Sequence, residues 1–434
     1  MEQDGTLSGA IARAPETTGR YLVLMDQDAV DEAARGVNDA TGVSMSAVSA
    51  SDAPQDVAAA LAAGASVVFA ELGVAVFAGD PEQTRALGGA AERAGGIIVV
   101  EPERMVHAIA DDGGLASYLR GYRDGVSQAV ERVLAEQASL RASVAEQPPL
   151  VETEYTWGLQ ATGAHRSQYS GRGVRLAVLD TGIDLTHPDF LTRPIATASF
   201  IAGEDVQDAH GHGTHCIGTA CGPLRPARAP RYGVAYGAEL YAGKVLSNQG
   251  SGSDGGILAG INWALGNGCA IISMSLGAAA QLGQSFSVVY ETVARRLLAR
   301  GSLIIAAAGN ESARPARINP VGHPANCPSI IAVGALDQQL AVASFSCGGL
   351  AGQGGQIDLA APGVGVLSSW PHGERYIRLR GTSMATPHVA GIAALLLEAN
   401  PAMRGGPLGW LLLQSARRLA QPARDIGAGL VQAP

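Results

Sequence analysis

The sequence predicts an α/β fold: a mostly parallel sheet with helices on both faces, preceded by a small α+β unit of ferredoxin-like order. Three observations predict it. Beyond residue 150, short apolar runs alternate with glycine-rich turns and helical stretches, the texture of a parallel sheet covered on both sides. Residues 20–105 instead read strand, helix, strand, strand, helix, strand. And a chain of 434 residues, 47% hydrophobic and 16% charged, is too long for one ordinary core and too apolar to be disordered.

In the amino-terminal part, β-rich apolar runs at 21–25, 66–70, 74–77 and 97–100 are the expected strands, and 28–38 and 81–94 the helices. An alanine-rich segment, 54–63, adds a helical turn or two. Residues 115–145 have helical spacing and stop at Gln147-Pro148-Pro149, where paired prolines end a helix and make an exposed joint. The chain therefore divides into 1–110, a helical linker at 111–149 and a large unit at 150–434. In that unit, runs at 174–179, 240–246, 270–276, 303–308 and 330–333 read as strands, with helices at 255–265 and 285–299. In open sheets of this kind chemistry collects at the carboxyl ends of the strands.

Composition excludes several classes. The formal net charge is -9 and Lys244 is the only lysine, so no basic stripe exists to hold phosphates and nucleic acid is not an expected partner. Apolar runs such as 97–100 and 303–308 fall far short of the ~20 residues that cross a bilayer, so no membrane span is expected. Residues 1–9 are acidic and polar, without the pattern of a secretory leader, which predicts a cytoplasmic location; a secreted form whose leader had been removed would start alike. The five cysteines, Cys216, Cys221, Cys269, Cys327 and Cys347, are odd in number and form no CxxC pair. They imply neither a zinc site nor a complete disulfide framework, and most are expected to pack as small hydrophobes.

Three segments carry the chemistry. Leu179-Asp180-Thr181-Gly182 brings Asp180 out of a buried strand into a glycine turn. His210-Gly211-His212-Gly213-Thr214-His215 precedes the small residues of a helix. Gly381-Thr382-Ser383-Met384-Ala385-Thr386-Pro387-His388 puts Ser383 at a helix start, where N–H groups are unpaired and the dipole favours negative charge. Amide hydrolysis needs a nucleophile, a base to take its proton, an acid for the leaving amine and donors for the oxyanion. A histidine titrating near pH 6.5 serves as base and acid, and a carboxylate behind it fixes its tautomer. Singly, each residue has a plain alternative, a turn aspartate or a structural histidine; the combination does not.

The three segments, in the order Asp, His, Ser, resemble the signatures of the subtilisin-like serine peptidases, over about residues 155–430, from Trp157-Gly158-Leu159 to Gly427-Ala428-Gly429-Leu430-Val431. The resemblance implies a serine endopeptidase with Asp180, His212 and Ser383 as catalytic triad. Asn310, in Ala307-Ala308-Gly309-Asn310, matches the family's oxyanion donor. It further implies that extended peptides bind as an added strand to Gly250-Ser251-Gly252 and Ser275-Leu276-Gly277, with Gly309, Glu311 and Gly322 lining the first pocket. Asp254 stands where many relatives carry an aromatic residue, which implies a basic substrate residue nearby or, more plainly, a solvated loop aspartate. Cys216, one helical turn after His212, resembles the thiol-bearing branch and implies mercurial sensitivity. Met384, beside Ser383, implies sensitivity to oxidation.

No cofactor is implied for the chemistry. Structural calcium is implied by Asp189, which matches a ligand of many relatives, but the neighbouring loop Gly222-Pro223-Leu224-Arg225-Pro226-Ala227-Arg228 offers cations where calcium needs oxygen ligands. The amino-terminal unit resembles the family's pro-domain, at Tyr21-Leu22-Val23-Leu24 and Val99-Val100-Glu101-Pro102-Glu103, which implies an intramolecular inhibitor of a self-processing zymogen. Processing is expected near Ala108, near the Pro148-Pro149 joint, at both or at neither. Peptides or proteins are the expected substrates, and the expected state is a monomer. Two rival readings are a dedicated maturation peptidase or peptide ligase, which would use the same residues, and a non-catalytic peptide-binding scaffold whose cleft stays blocked, against which the intact set Asp180, His212, Asn310 and Ser383 speaks.

Overall fold

The computed structural model describes residues 16–93, 96–109, 151–350, 354–371 and 373–434. The predicted linker helix at 115–145 and the proline joint lie outside them.

The amino-terminal unit runs β1 (Thr17–Met25), α1 (Val30–Thr41), β2 (Met45–Val48), α2 (Pro54–Ala62), β3 (Ser66–Phe69), β4 (Val74–Phe77), α3 (Pro81–Arg93) and β5 (Ile97–Ala108). Its sheet has the order β5-β1-β4-β3-β2. β1 is antiparallel to β4 and β5, and β3 is antiparallel to β4, which is the ferredoxin-like arrangement expected. β2, parallel to β3, is an added edge strand that the sequence reading lacks. Its Met-Ser-Ala-Val is half-exposed and carries little β signal of its own, so pairing rather than propensity makes it a strand. β5 also exceeds expectation, twelve residues instead of four. The polar Glu101-Pro102-Glu103-Arg104 ends the apolar run, and the strand continues because its last residues pair with the large unit.

The large unit contributes β6 (Arg175–Asp180), β7 (Ile195–Ser199), α4 (His212–Cys221), β8 (Glu239–Lys244), β9 (Ser251–Ser253), α5 (Asp254–Gly266), β10 (Ile271–Met274), β11 (Leu276–Gly277), α6 (Val288–Ala299), β12 (Leu303–Ala307), β13 (Ile331–Leu336), β14 (Leu359–Pro362), β15 (Val366–Ser369), β16 (Tyr376–Leu379), α7 (Thr382–Ala399) and α8 (Gly406–Ser415). The main sheet is parallel, in the order β14-β13-β12-β10-β6-β8-β7. β7 and β14 were not expected: Ile-Ala-Thr-Ala-Ser and Leu-Ala-Ala-Pro are alanine-rich and weakly β-forming.

Alternation along each strand feeds two cores. Leu176, Val178, Ile271, Leu303 and Ile305 pack with Ile217, Val389, Ile392 and Leu408 of α4, α7 and α8. Ala177, Leu179, Ile272, Ile304 and Ala306 pack with Ile257, Ile261, Val289 and Val293 of α5 and α6. This second core also takes in Leu22, Leu24, Val74 and Val76, so one face of the amino-terminal sheet lies on α5 and α6. Its other face, with Val23, Met25 and Ala75, packs with Val37 and Leu87 of α1 and α3.

Two carboxylates of β5 fasten this contact. Glu101 accepts from Val288 N at 2.6 Å and Ser287 Oγ at 2.6 Å at the start of α6. Glu103, fully buried, accepts from Gly255 N at 2.9 Å in the first turn of α5 and from Arg20 Nε at 2.6 Å. Each places negative charge at a helix N-terminus, where unpaired N–H groups and the dipole stabilise it. Among the described residues no helix is long and apolar enough to cross a membrane.

Candidate active site

The chain order starts at β6 in mid-sheet, moves to β8 and β7 on one side, then returns to β10, β12, β13 and β14 on the other. The reversal lies between β6 and β10, and a crevice beyond the carboxyl ends of such strands is the usual place for a site in an open sheet. Asp180 ends β6, Ser275 follows β10 and Asn310 follows β12.

His212 opens α4, and its Nδ1 donates to Asp180 Oδ1 at 2.6 Å. The carboxylate acceptor fixes the proton on Nδ1 and leaves Nε2 as the basic nitrogen. Burial is the largest single influence and disfavours the imidazolium, but the Asp180 charge and hydrogen bond, with Cys216 beside the ring, together hold the His212 pKa well above its ordinary value. The turn and the helix meet closely: a Cβ on Gly213 would lie 2.3 Å from Gly182 O, so only glycine allows this approach.

Asp208, which the sequence reading did not single out, ties the two together. Its Oδ1 accepts from Thr181 Oγ1 at 2.9 Å and Gly211 N at 2.7 Å, and its Oδ2 from Thr214 N at 2.8 Å. It caps α4 from four residues before His212 while gripping the residue after Asp180. The one sequence signal was an acidic residue just ahead of a helix start. Two other histidines are excluded as bases. His215 Nε2 donates to Val366 O and burial pulls its pKa down to about 3; His388 Nδ1 donates to Met384 O and burial pulls it down to about 4.

Ser383 is the second residue of α7, and its hydroxyl bonds to Ile109 O and, at 3.2 Å, to Ser275 O. Asn310 Nδ2 donates to the same Ile109 oxygen at 2.9 Å. The Asn310 amide is pinned from behind, since its Oδ1 accepts from Thr382 N at 2.9 Å and Thr382 Oγ1 at 3.0 Å. Gly381 has φ +155°, and a Cβ there would lie 3.0 Å from both Asn310 Nδ2 and Ile109 O. Thr382 is thus a second residue that the motif contained but that the sequence reading gave no role.

The end of β5 lies between the two segments expected to bind substrate. Met105, Val106 and His107 pair antiparallel with Ser253, Gly252 and Ser251; His107 and Ala108 pair with Gly277 and Leu276. Ala108 N donates to Gly250 O at 2.9 Å and Ile109 N to Ser275 O at 3.2 Å. Ile109 is largely buried, and its side chain lies against Gly277, where a Cβ would come within 2.9 Å of Ile109 Cδ1. Of the expected pocket residues, Gly309 N donates to Thr382 Oγ1 at 3.1 Å, Glu311 Oε2 accepts from Cys347 Sγ at 3.1 Å, and Gly322 N donates to Ala308 O at 2.9 Å. All three therefore border the Asn310 loop.

Asp254 is not a solvated loop residue. It opens α5, is fully buried, accepts from Arg104 N at 2.9 Å on Oδ2 and from His323 Nε2 at 3.0 Å on Oδ1. The plainer alternative drawn from the sequence is corrected: the end of β5 covers the carboxylate. All five cysteines are free and buried. Cys216 Sγ lies 3.9 Å and 4.0 Å from the two His212 ring nitrogens and donates to Ser383 O at 3.5 Å; burial raises its pKa and keeps it a thiol. Met384 has no exposed surface while the end of β5 is in place.

The donor set around Asp189 does not fit calcium. Asp189 Oδ1 accepts from Ala227 N at 2.8 Å, and Oδ2 from Tyr232 Oη at 2.6 Å and Tyr376 Oη at 3.0 Å. Burial, with the Asp189 charge, raises both phenols, Tyr376 to about 12, so they keep their protons. A calcium ion needs six to eight oxygen ligands, whereas here three hydrogens converge on the carboxylate. The donors take the place that a cation would fill.

Comparison with known proteins agrees with this geometry. Residues 171–429 match the model of the subtilase family. The chain is 42% identical over 287 residues to the M-protease of Shouchella clausii (strain KSM-K16), covering 64% of this chain and 68% of that one. It is 42% identical over 276 residues to Subtilisin Savinase of Lederbergia lenta (63% and 92%), and 40% identical over 271 residues to Subtilisin E of Bacillus subtilis (strain 168) (62% and 65%). The family match and relatives named as subtilisins and proteases define the class of protein as a serine hydrolase. The chain belongs to the subtilase family and is a serine endopeptidase.

Proposed function

We propose that this endopeptidase works through an acyl-enzyme on Ser383 and is made as a zymogen that cuts its own chain after Ile109. Ser383 Oγ attacks the scissile carbonyl carbon and passes its proton to His212 Nε2; Asp180, on Nδ1, stabilises the imidazolium. Asn310 Nδ2 and the Ser383 N–H, in the unpaired first turn of α7, hold the oxyanion. As the C–N bond breaks, His212 gives the proton to the leaving amine. Water then attacks the ester, His212 takes its proton, and Ser383 recovers its hydroxyl as the acid departs.

One observation carries this reading: the Ile109 carbonyl oxygen is shared by Ser383 Oγ and Asn310 Nδ2 while the residues before it pair on both sides as a strand. This favours the Ile109–Ala110 bond over the Pro148-Pro149 joint as the processing site. The amino-terminal unit is then an inhibitor, since its own tail fills the cleft that substrates need. The test is the chain mass of the full-length protein beside its Ser383→Ala form. The wild type is expected to yield a fragment beginning at Ala110 and then cleave added peptides, with the variant intact and inert. Equal trimming of both forms would refute the assignment.

A further inference from the structure

The catalytic strands bind a longer stretch of chain than the pairing segments alone require, and the far end of that stretch is marked by a buried charge. Counting back from Ile109 through Ala108, His107, Val106 and Met105, the sixth residue before the proposed scissile bond is Arg104. Its backbone N–H donates to Asp254 Oδ2 at 2.9 Å, and its guanidinium Nη1 lies 3.6 Å from the same oxygen. Asp254 belongs to the catalytic unit and stays when the tail leaves, as does His323, which holds Oδ1 at 3.0 Å. Tyr290 fixes the other side: its ring meets the His323 ring edge-on with centroids 4.6 Å apart, and its hydroxyl donates to Asp254 O at 3.2 Å.

The remaining charges at this spot, Arg20, Glu101 and Glu103, belong to the amino-terminal unit and depart with it. What a substrate meets is therefore one ordered carboxylate backed by a histidine and a tyrosine. The arrangement keeps that carboxylate ionised: burial alone would raise its pKa, but His323 and Arg104 hold it below the ordinary value.

We infer that Asp254 selects substrates at the sixth residue before the cleaved bond, requiring a backbone N–H there and favouring an arginine or lysine side chain. The inference rests on the hydrolytic reading above and on the register of the tail. Both halves follow from the chemistry. A carboxylate accepting a main-chain N–H makes a charge-assisted bond that proline cannot supply. A cation brought to a partly desolvated carboxylate is attracted, and a glutamate is repelled.

The test uses the full-length protein after it has completed its own processing. Four fluorogenic peptides share residues one to five before the cut and differ only at the sixth: arginine, alanine, proline or glutamate. The expected kcat/KM for arginine exceeds that for alanine about five- to tenfold, and proline and glutamate fall below alanine. The arginine advantage should shrink as salt is raised from about 0.01 to 1 M, where the screening length drops to about 3 Å. In Asp254→Asn it should collapse to near one. Cleavage of all four at one rate overturns the selectivity and leaves the hydrolytic reading standing. A chain that neither processes itself nor cleaves any of the four overturns both.

Discussion

Asn310 Nδ2 and the Ile109 carbonyl oxygen are 2.9 Å apart, and the amide is turned toward that oxygen because Thr382 holds its other end. In the proposed reaction this donor needs no reorientation when charge develops on the oxygen. Asn310→Ala should lower kcat for peptide cleavage by about 10²- to 10³-fold, the range already measured for such a donor in a subtilisin, with little change in KM. Thr382→Val keeps the N–H and loses only the hydroxyl that bonds both Asn310 Oδ1 and Gly309 N, so its loss in kcat should be smaller, and Thr382→Ser should restore it. A Thr382→Val enzyme as active as wild type would show that the backbone bond alone fixes the amide.

The pH dependence follows from His212. Burial lowers its pKa, and Asp180 with Cys216 beside the ring together raise it by more, so the balance lies above the ordinary 6.5. The base must be neutral, so kcat/KM should rise with pH through that raised value, with the midpoint of the acid limb above pH 6.5. The same proton acts oppositely on stability: a raised folded pKa contributes stability that is present below about 6.5 and lost as pH rises through the folded value. Removing the charge reverses the balance. Asp180→Asn should move the acid limb below 6.5, because burial then dominates, and lower kcat by about 10⁴-fold. A limb that stays in place in this variant would mean that Asp180 does not set the His212 proton affinity.

Much of the site was legible because its parts are local. A strand ending in Asp-Thr-Gly, a glycine-flanked histidine at a helix start and a serine at another are each readable in a few residues, and their order supplied the rest. What stayed hidden depends on distant partners. Asp208 gains its role only when the Asp180 turn and α4 meet, and Thr382 only when the end of β12 lies beside α7. β5 read as four residues because Glu101 to Arg104 is polar; those polar groups bond to the starts of α5 and α6 and to Asp254, which no local pattern reveals. β2 was missed for the same reason at an edge, where pairing outweighs propensity.

The Asp189 cluster makes the last prediction. Its carboxylate satisfies two phenols and one backbone N–H, so its removal leaves the almost fully buried Tyr232 hydroxyl without an acceptor, along with the more exposed Tyr376 hydroxyl and Ala227 N–H. Each such donor costs about 1–3 kcal/mol when stranded. Tyr376 is partly exposed and recovers some of this by bonding to water, so Asp189→Ala should cost about 2–4 kcal/mol in all. Because hydrogen bonds rather than a cation satisfy the carboxylate oxygens, this loss should be the same in calcium and in excess chelator. Thermal unfolding of the Ser383→Ala background, which removes self-digestion, measures both. A destabilisation that appears only when calcium is present would mean that Asp189 binds the ion after all, and that the two tyrosines swing away to admit it.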